Sequence, residues 1–312
     1  MPLPSLTLPP AGSTFLGARP ATLDAVPRGA VAAIGIPGAT PYRSGAPLCG
    51  DAPAAIRAAS QRHAANTGHY DFDLGGALLQ PDATLVDCGD IAFDPEDFAA
   101  NRAGIGAAFA TLLARGAAPL LLGGDDSVQI PALAAFAAHT DITILQIDAH
   151  IDWRDEVQGE RQGLSSTMRR TSELAGIKAM IQVGARAMGS ARPSDVADAR
   201  AAGAELIDMH MLRAKGIGHA IERVPEGRPV VVCLDLDGLD PSVMPAVSGF
   251  APGGLGYGDV VELLTGIAGR APVIGFNIVE LVPANDIGDV GVRTACKLAM
   301  LATGLLARGA RS

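Results

Sequence analysis

The chain has 312 residues, of which 48% are apolar and only 4% are aromatic. This length suits one large α/β domain or two domains of ordinary size. A formal net charge of −9 disfavours binding to nucleic acid or to an anionic membrane surface. We therefore expect a protein that acts on small molecules, including cationic ones.

The first 25 residues are rich in Pro, Ser and Gly, and we expect them to form an irregular N-terminal arm. They contain neither a basic segment nor a long apolar run, and no later window reaches the roughly 18 uncharged apolar residues that a membrane span needs. The four cysteines are far apart and form no CxxC pair, which is typical of reduced thiols. These features predict a cytoplasmic protein.

Short apolar runs alternate with Ala-rich stretches along the rest of the chain, without a linker or an internal repeat. We predict strands at 30–38, 83–90, 118–126, 142–150, 179–186, 229–238 and 272–281. We predict helices at 52–60, 101–117, 129–138, 195–203, 258–269 and 291–307. Asp51 is the expected N-cap of the first helix. Apolar strands that alternate with helices indicate a parallel sheet covered on both faces, in a single domain spanning 1–312.

Acidic residues follow four of the predicted strands. They are Asp125 and Asp126, then Asp148 with His150 and Asp152, then Asp235 and Asp237, and finally Glu280. Ligand sites in open parallel sheets form beyond the carboxyl ends of the strands, so we expect these side chains to converge. In DAHID (148–152) three ligand-type residues alternate, and alternate residues at a strand end point to the same side. Asp240, which precedes Pro241, is an expected turn residue.

So many carboxylates cannot all be ionised side by side without a counter-charge. A carboxylate-rich site with one imidazole suits Mn²⁺, Mg²⁺ or a similar divalent ion. Four or five carboxylates are too many ligands for one ion and suit two ions about 3.5–4 Å apart, with shared carboxylates between them. A single strand-end Asp is more often a helix cap, but three clusters on separate strands favour a metal site.

The motifs occur in an order that resembles the ureohydrolase superfamily of arginase, agmatinase, guanidinobutyrase and formiminoglutamase, and especially its agmatinase-like members. The similarity extends from about residue 28 to residue 307. It is carried by GGDDS (123–127), DAHID (148–152), LDLDGLDPS (234–242) and NIVELVP (277–283), with further matches at 35–57, 86–90 and 246–255. The resemblance implies a three-layer α/β/α fold with a mostly parallel eight-stranded sheet. It also implies assembly into homotrimers or homohexamers.

The resemblance further implies a binuclear centre with two divalent metal ions, usually Mn²⁺ and sometimes Ni²⁺. One ion would be held by Asp126, Asp148, Asp152 and Asp235, and the other by Asp148, His150, Asp235 and Asp237. A hydroxide that bridges the ions would attack the guanidinium carbon of a linear guanidino compound and release urea and an amine, as in polyamine metabolism. Asp152 would orient the hydroxide and relay a proton to the leaving amine, and Glu280 would grip the guanidinium of the substrate.

Two positions depart from the family pattern. Asp126 stands where the family usually has His, and this change should favour a harder ion and make the metal-bound water less acidic. Leu164, in QGLSSTMRRTSE (162–173), stands where agmatinase-like members have a His that is thought to contact the substrate. The hydroxyl groups of Ser165, Ser166 and Thr167 would then serve the substrate, unless Ser165 and Ser166 only cap the following helix.

Three residues beside the motifs have alternative interpretations. Trp153 either forms a wall of the substrate pocket or packs beneath the loop. Arg154 either binds a substrate carboxylate or pairs with Asp155 or Glu156. Asp125 is expected to brace the turn beneath the site.

Three functions remain open at this point. The first is hydrolysis of a small, cationic, linear guanidino compound, and the second is hydrolysis of a different guanidine, amidine or formimino substrate. The third is a weakly active or non-catalytic partner subunit of a hetero-oligomer, which the loss of two family histidines motivates. The retained acids favour an enzyme over the third alternative, because a site without activity has no need of so many buried charges.

Overall fold

The computed structural model of the chain describes residues 3–10, 12–39, 48–189 and 191–309. Residues 40–47, which belong to the predicted family match at 35–57, lie outside this description. The strands are β1 (Leu6–Thr7), β2 (Arg19–Pro20), β3 (Val31–Gly35), β4 (Tyr70–Asp71), β5 (Gly76–Ala77), β6 (Leu85–Ile91), β7 (Ala118–Leu122), β8 (Ile142–Ile147), β9 (Ile177–Val183), β10 (Glu205–Ile207), β11 (Val230–Asp235) and β12 (Val273–Val279). The α-helices are α1 (Ala52–Ser60), α2 (Phe98–Ala114), α3 (Gln129–His139), α4 (Thr167–Ser172), α5 (Pro193–Ala201), α6 (Met209–Lys215), α7 (Ile217–Arg223), α8 (Tyr257–Ala268) and α9 (Val290–Gly309).

Eight parallel strands form the centre of the main sheet, in the order β6-β3-β7-β12-β11-β8-β9-β10. The short strands β1 and β2 both pair with β6 at one edge, β1 antiparallel and β2 parallel. The expectation of a mostly parallel eight-stranded sheet is therefore confirmed, and the N-terminal arm adds two short strands to it.

Helices cover both faces of this sheet, because successive residues of each strand point to opposite sides. Val31 and Ala33 pack into a core shared with α1, α8 and α9. Ala32 and Ile34 pack into a second core shared with α2 and α3. The predicted three-layer α/β/α fold is confirmed.

The N-terminal arm lies against the domain. Its two short strands are accompanied by two 3-10 turns, and Phe15, Leu16 and Leu23 are buried. The backbone N–H of Phe15 donates to Asp87 on β6 at 2.7 Å. Apolar burial and pairing with β6 thus hold the arm in place.

Helix α9 is, by length and composition, apolar enough to cross a membrane. However, 72% of its apolar window is buried inside the protein. Leu298, Ala302 and Leu306 are fully buried in the core between α1, α8 and the sheet. α9 therefore has the burial of a core helix.

The local predictions differ from the structure at a few places. α1 covers the predicted residues, but the side chain of Asp51 makes no capping hydrogen bond. The backbone of Asp51 is already helical, with φ −85° and ψ −4°, whereas a capping residue is usually extended. α6 and α7 were not predicted, because seven residues are too few to show a helical period.

A buried ion pair ties α1 to β6. Arg57 is 4% exposed, and its guanidinium donates to Asp87 at 2.8 and 2.9 Å and to Asp90 at 2.5 Å. Asp87 is fully buried, so the loss of Arg57 would leave its negative charge without a positively charged partner.

We expect Arg57→Leu to lower the free energy of unfolding by about 3–5 kcal/mol, because an unpaired buried carboxylate is costly. Urea unfolding followed by circular dichroism measures this loss. Arg293→Leu is the control, since the Arg293–Asp289 pair is exposed and such pairs contribute no more than about 1 kcal/mol. Equal losses from the two variants would contradict the assigned role of Arg57.

Candidate metal centre

The four strands that end in acids are neighbours at the middle of the sheet. Their order is β7-β12-β11-β8, so the segments after Leu122, Val279, Asp235 and Ile147 all leave the same edge. Leu234 on β11 pairs with Ile147 on β8, which brings Asp235 level with Asp148. The predicted convergence of the acids at one sheet edge is thus what the topology produces.

The acids and His150 form two groups of possible metal ligands, and within each group the ligand atoms lie within 4.8 Å of one another. One group consists of Asp148, His150 and Asp237, and the other of Asp126, Asp148 and Asp152. Asp148 belongs to both groups. Asp235 lies beside them, and its carboxylate accepts from the backbone N–H of Asp237 at 2.8 Å. These groups match the two predicted ligand sets apart from Asp235.

The GGDDS segment forms a tight turn that brings Asp126 to the site. Gly123 and Gly124 have φ of +84° and +83°, and a Cβ on Gly124 would lie 2.6 Å from the carbonyl oxygen of Ile36. Asp125 caps the following 3-10 turn by accepting from the backbone N–H of Ser127 at 2.9 Å and from its hydroxyl. Asp125 therefore braces the turn, as its position in the sequence suggested.

Glu280 is anchored to the same turn. It has a left-handed backbone, with φ +65°, and its N–H donates to the carbonyl of Gly124 at 2.9 Å. Its carboxylate accepts from the backbone N–H of Asp126 at 2.8 Å and from the thiol of Cys49 at 3.6 Å. A non-glycine residue in this conformation is strained, and such strain persists where the surroundings hold it in place.

Asp152 is also left-handed, with φ +52°. Its backbone carbonyl accepts from the N–H of Arg169 at 3.1 Å, which ties the loop after β8 to α4. The strained conformation turns the chain back at the end of DAHID and leaves the carboxylates of Asp148 and Asp152 together.

Burial dominates the electrostatics of the site. It raises the pKa of Asp126, Asp148 and Asp235 well above the ordinary carboxyl value, and nearby carboxylates raise it further. Burial also raises the pKa of Asp152 to about 6 and that of Glu280 to about 8. So many destabilised carboxylates at one place require either protons or cations.

Asp237 and His150 form the exception. Burial acts to raise the pKa of Asp237, but the hydrogen bond and charge of His150 bring it below the ordinary value. His150 Nδ1 lies 3.0 Å from Asp237 Oδ2 and 3.4 Å from Asp148 Oδ1. The hydrogen bond with Asp237 raises the pKa of His150. The imidazole of His150 thus lies between two carboxylates, a position that favours a positive charge.

These residues fit divalent metal ions. One carboxylate oxygen of Asp126 is buried and, among the described residues, has no hydrogen-bond partner, which is costly unless a cation is bound. The donors are oxygen atoms and one imidazole, the set that Mn²⁺ and similar ions accept.

Two buried glutamines contact the acids and were missed in the sequence. Gln146 on β8 donates to Asp148 at 2.6 Å and to Asp152 at 2.8 Å. Gln129 at the start of α3 donates to Asp126 and accepts from Asn277 at 3.3 Å. For Gln146 the signal was a polar residue inside the apolar strand ITILQI, where a side chain needs a buried partner.

Trp153 packs beneath the loop and does not line an open pocket. It is 2% exposed, and its indole N–H donates to Gln182 at 2.7 Å. The structure therefore favours packing beneath the loop over a place in the pocket wall. Direct contact with a substrate would require the Trp153 side chain to become exposed.

Arg154 pairs with a residue that the sequence did not suggest. Its Nε lies 3.6 Å from Asp195 Oδ2 on α5, whereas Asp155 pairs with Arg161 and Arg170. The predicted pairing of Arg154 with Asp155 or Glu156 is therefore wrong. The reason is that α5 brings Asp195 close from a distant part of the chain.

The serine segment lies against the GGDDS turn. The hydroxyl of Thr167 donates to the backbone carbonyl of Asp126 at 3.2 Å, and Ser165 is 9% exposed. Ser166 occupies the N-cap position of α4, but its side chain makes no capping hydrogen bond. Side-chain capping therefore does not account for Ser166.

Comparison with known proteins identifies the family. The family model described as "Arginase family" matches residues 29–304. The chain belongs to the arginase family. Over 279 residues it is 32% identical to proclavaminate amidinohydrolase of Streptomyces clavuligerus, covering 86% of this chain and 85% of that protein. It is 29% identical over 282 residues to the agmatinase of Pyrococcus horikoshii, and the match covers 88% of this chain and 91% of that protein.

Solved structures agree with this membership. The structure of the S. clavuligerus proclavaminate amidinohydrolase has a TM-score of 0.80 at 28% identity and covers 95% of this chain and 97% of that one. The formimidoylglutamase structure of Bacillus subtilis has a TM-score of 0.78 at 27% identity, and the match covers 95% of this chain and 92% of that one. The predicted resemblance is confirmed, and the protein is an arginase-family hydrolase.

Proposed function

We propose that this arginase-family enzyme holds two divalent metal ions and hydrolyses a C–N bond of a linear guanidino compound, releasing urea and an amine. The observation that carries the proposal is the place of Asp148 in both groups of ligand atoms. A carboxylate common to two sites suits a pair of ions. The agmatinase and amidinohydrolase names of the matched relatives support the substrate class.

The metal ligands in this proposal are the residues of the two groups together with Asp235. Asp126, Asp148, Asp152 and Asp235 would hold one ion, and Asp148, His150, Asp235 and Asp237 the other. When bound, the ions would lower the pKa of a water molecule and so supply a nucleophile near neutral pH. Mn²⁺ is the proposed metal, with Ni²⁺ as the alternative.

Glu280 and Asp152 act on the substrate in this proposal. Glu280 would accept hydrogen bonds from the planar guanidinium of the substrate, which would also provide the buried carboxylate with the positive charge it lacks. Asp152 would orient the attacking water and pass its proton to the leaving amine.

Hydrolysis of another guanidine, amidine or formimino substrate is the second candidate. It is favoured by the segment that starts at Leu164, because a partly buried leucine cannot bind or transfer a proton as a histidine does. The names of the matched relatives also cover more than one substrate.

A panel of substrates separates these candidates. The protein is loaded with Mn²⁺ or Ni²⁺ and assayed with agmatine, 4-guanidinobutyrate, arginine and formiminoglutamate for release of urea, ammonia or formamide. Urea from a linear guanidino compound supports the proposal, and a formimino product supports the second candidate. Absence of turnover together with fewer than about one bound ion per chain would instead indicate a non-catalytic subunit.

We expect Asp126→His to raise kcat/KM at neutral pH, by about tenfold. A neutral imidazole donates less charge than a carboxylate, so a water on the ion becomes more acidic. The hydrogen bonds can adapt to this change if the amides of Gln129 and Asn277 rotate together, because the Gln129 oxygen then faces the imidazole N–H and the Asn277 oxygen accepts from the Gln129 nitrogen. A pH profile of urea release measures the effect, with Asp126→Asn as the control that removes the charge without adding an imidazole. Unchanged or lost activity in Asp126→His would show that Asp126 is adapted to its position.

A further inference from the structure

A chain of buried side-chain hydrogen bonds leads from the protein core to the candidate metal ligands. The indole N–H of Trp153 donates to the amide oxygen of Gln182 at 2.7 Å. The amide nitrogen of Gln182 donates to the amide oxygen of Gln146 and, at 2.8 Å, to the carbonyl of Ile151. The amide nitrogen of Gln146 then donates to Asp148 at 2.6 Å and to Asp152 at 2.8 Å.

The direction of this chain is determined by its outer end. An indole N–H can only donate, and the carbonyl of Ile151 can only accept. Gln182 must therefore present its oxygen to Trp153 and its nitrogen to Ile151 and Gln146. Gln146 in turn must accept from Gln182, and so its nitrogen faces the two carboxylates.

All of the amide hydrogens in this chain are used. Gln146 and Gln182 are 1% and 2% exposed, and each gives both hydrogens of its nitrogen to buried acceptors. Reversal of either amide would bring two oxygen atoms together inside the protein, which is costly where no water can intervene. Rotation of the Gln146 amide away from the acids is thus opposed by Gln182 and Trp153.

We propose that Gln146 is a positioning residue for the metal centre, which holds the carboxylates of Asp148 and Asp152 in the arrangement that the ions require, and that Gln182 and Trp153 maintain its orientation. Gln146 contacts Oδ2 of each carboxylate, and Oδ1 of Asp148 accepts from the backbone N–H of His150 at 2.6 Å, so both oxygen atoms of Asp148 are held in place. This inference rests on the metal centre of the proposed function. Partners of metal ligands typically contribute 10–100-fold to metal affinity or activity.

Two variants test the chain at different places. Gln146→Met removes both donors and keeps a similar volume. Gln182→Met keeps a similar volume but removes the donor to Gln146, so the Gln146 amide is no longer held with its nitrogen toward the acids. Thr143→Val is the matched control, because Thr143 is a fully buried residue of the same strand and lies outside the chain of contacts.

The readouts are the Mn²⁺ dissociation constant of the metal-free protein by calorimetry, its melting temperature, and kcat and KM of the loaded enzyme. We expect both glutamine variants to bind Mn²⁺ about 10–100-fold more weakly. At saturating Mn²⁺ their kcat should fall while KM for the substrate changes less. Thr143→Val should match the wild type in every readout.

Several results would overturn the inference. Wild-type affinity for Mn²⁺ in both folded glutamine variants would do so, as would an equal loss in Thr143→Val. If neither glutamine variant folds, Trp153→Phe decides, since it removes only the indole donor and should weaken Mn²⁺ binding by a few fold. Failure of the wild-type protein to bind Mn²⁺ would overturn the proposed function itself and is therefore distinguishable from failure of this inference.

Discussion

Replacement of Asp148 by Asn is expected to lower kcat/KM by about a thousandfold or more, equivalent to about 4 kcal/mol of transition-state stabilisation. The reason is that Asp148 contributes to both groups of ligand atoms, so its loss weakens both metal positions at once. Steady-state urea release and metal content per chain measure the two consequences. We expect the variant to retain fewer metal ions than the wild type after dialysis.

Asp240→Asn is the control for this prediction. Asp240 follows the same strand, β11, but its carboxylate accepts from Ser242 and from the backbone N–H of Gly253, so it stabilises a turn. Its replacement should leave metal content unchanged and alter kcat/KM by no more than a few fold. Near-normal activity and metal content in Asp148→Asn would refute the shared-ligand assignment.

The metal-free protein is expected to lose about 3–5 kcal/mol of stability as the pH rises from 5 to 8.5, and Mn²⁺ is expected to restore it. Burial raises the pKa of Asp152 to about 6 and that of Glu280 to about 8. The unfolded chain loses these protons near pH 4. Between those values the folded state therefore holds more protons than the unfolded state, and its stability falls as the pH increases.

Urea unfolding in the presence of a chelator, at several pH values, measures this dependence. Glu280→Gln provides the control, because it removes one of these groups and should reduce the slope of the curve between about pH 6 and pH 8. Addition of Mn²⁺ at pH 8.5 should raise the stability of the wild type by more than that of Asp148→Asn. Stability that is constant or increases over this range would contradict the electrostatic description of the site.

The acids of the site could be predicted from the sequence because each lies at the end of an apolar strand or within a few residues after it. Asp126, Asp148, Asp235 and Glu280 needed only the rule that parallel strands end at one edge of a sheet. The spatial order β7-β12-β11-β8 could not be predicted in this way, since β11 and β12 enter between β7 and β8 from the distant second half of the chain.

The supporting contacts were harder to predict than the acids. Gln146 and Gln182 lie in apolar strands, and only the register of β8 with β9 places them side by side. Trp153 was ambiguous because an aromatic residue after a motif suits both a pocket and a core. Arg154 was misassigned because its partner, Asp195, is supplied by a separate helix.

Diffraction from crystals of the Mn²⁺-loaded protein, with anomalous maps recorded near the manganese edge, tests the central claim most directly. Our account predicts two anomalous peaks per chain, about 3.5–4 Å apart. One peak should lie among Asp126, Asp148, Asp152 and Asp235, and the other among Asp148, His150, Asp235 and Asp237. A single peak at this edge of the sheet, or none in a fully loaded crystal, would contradict the account.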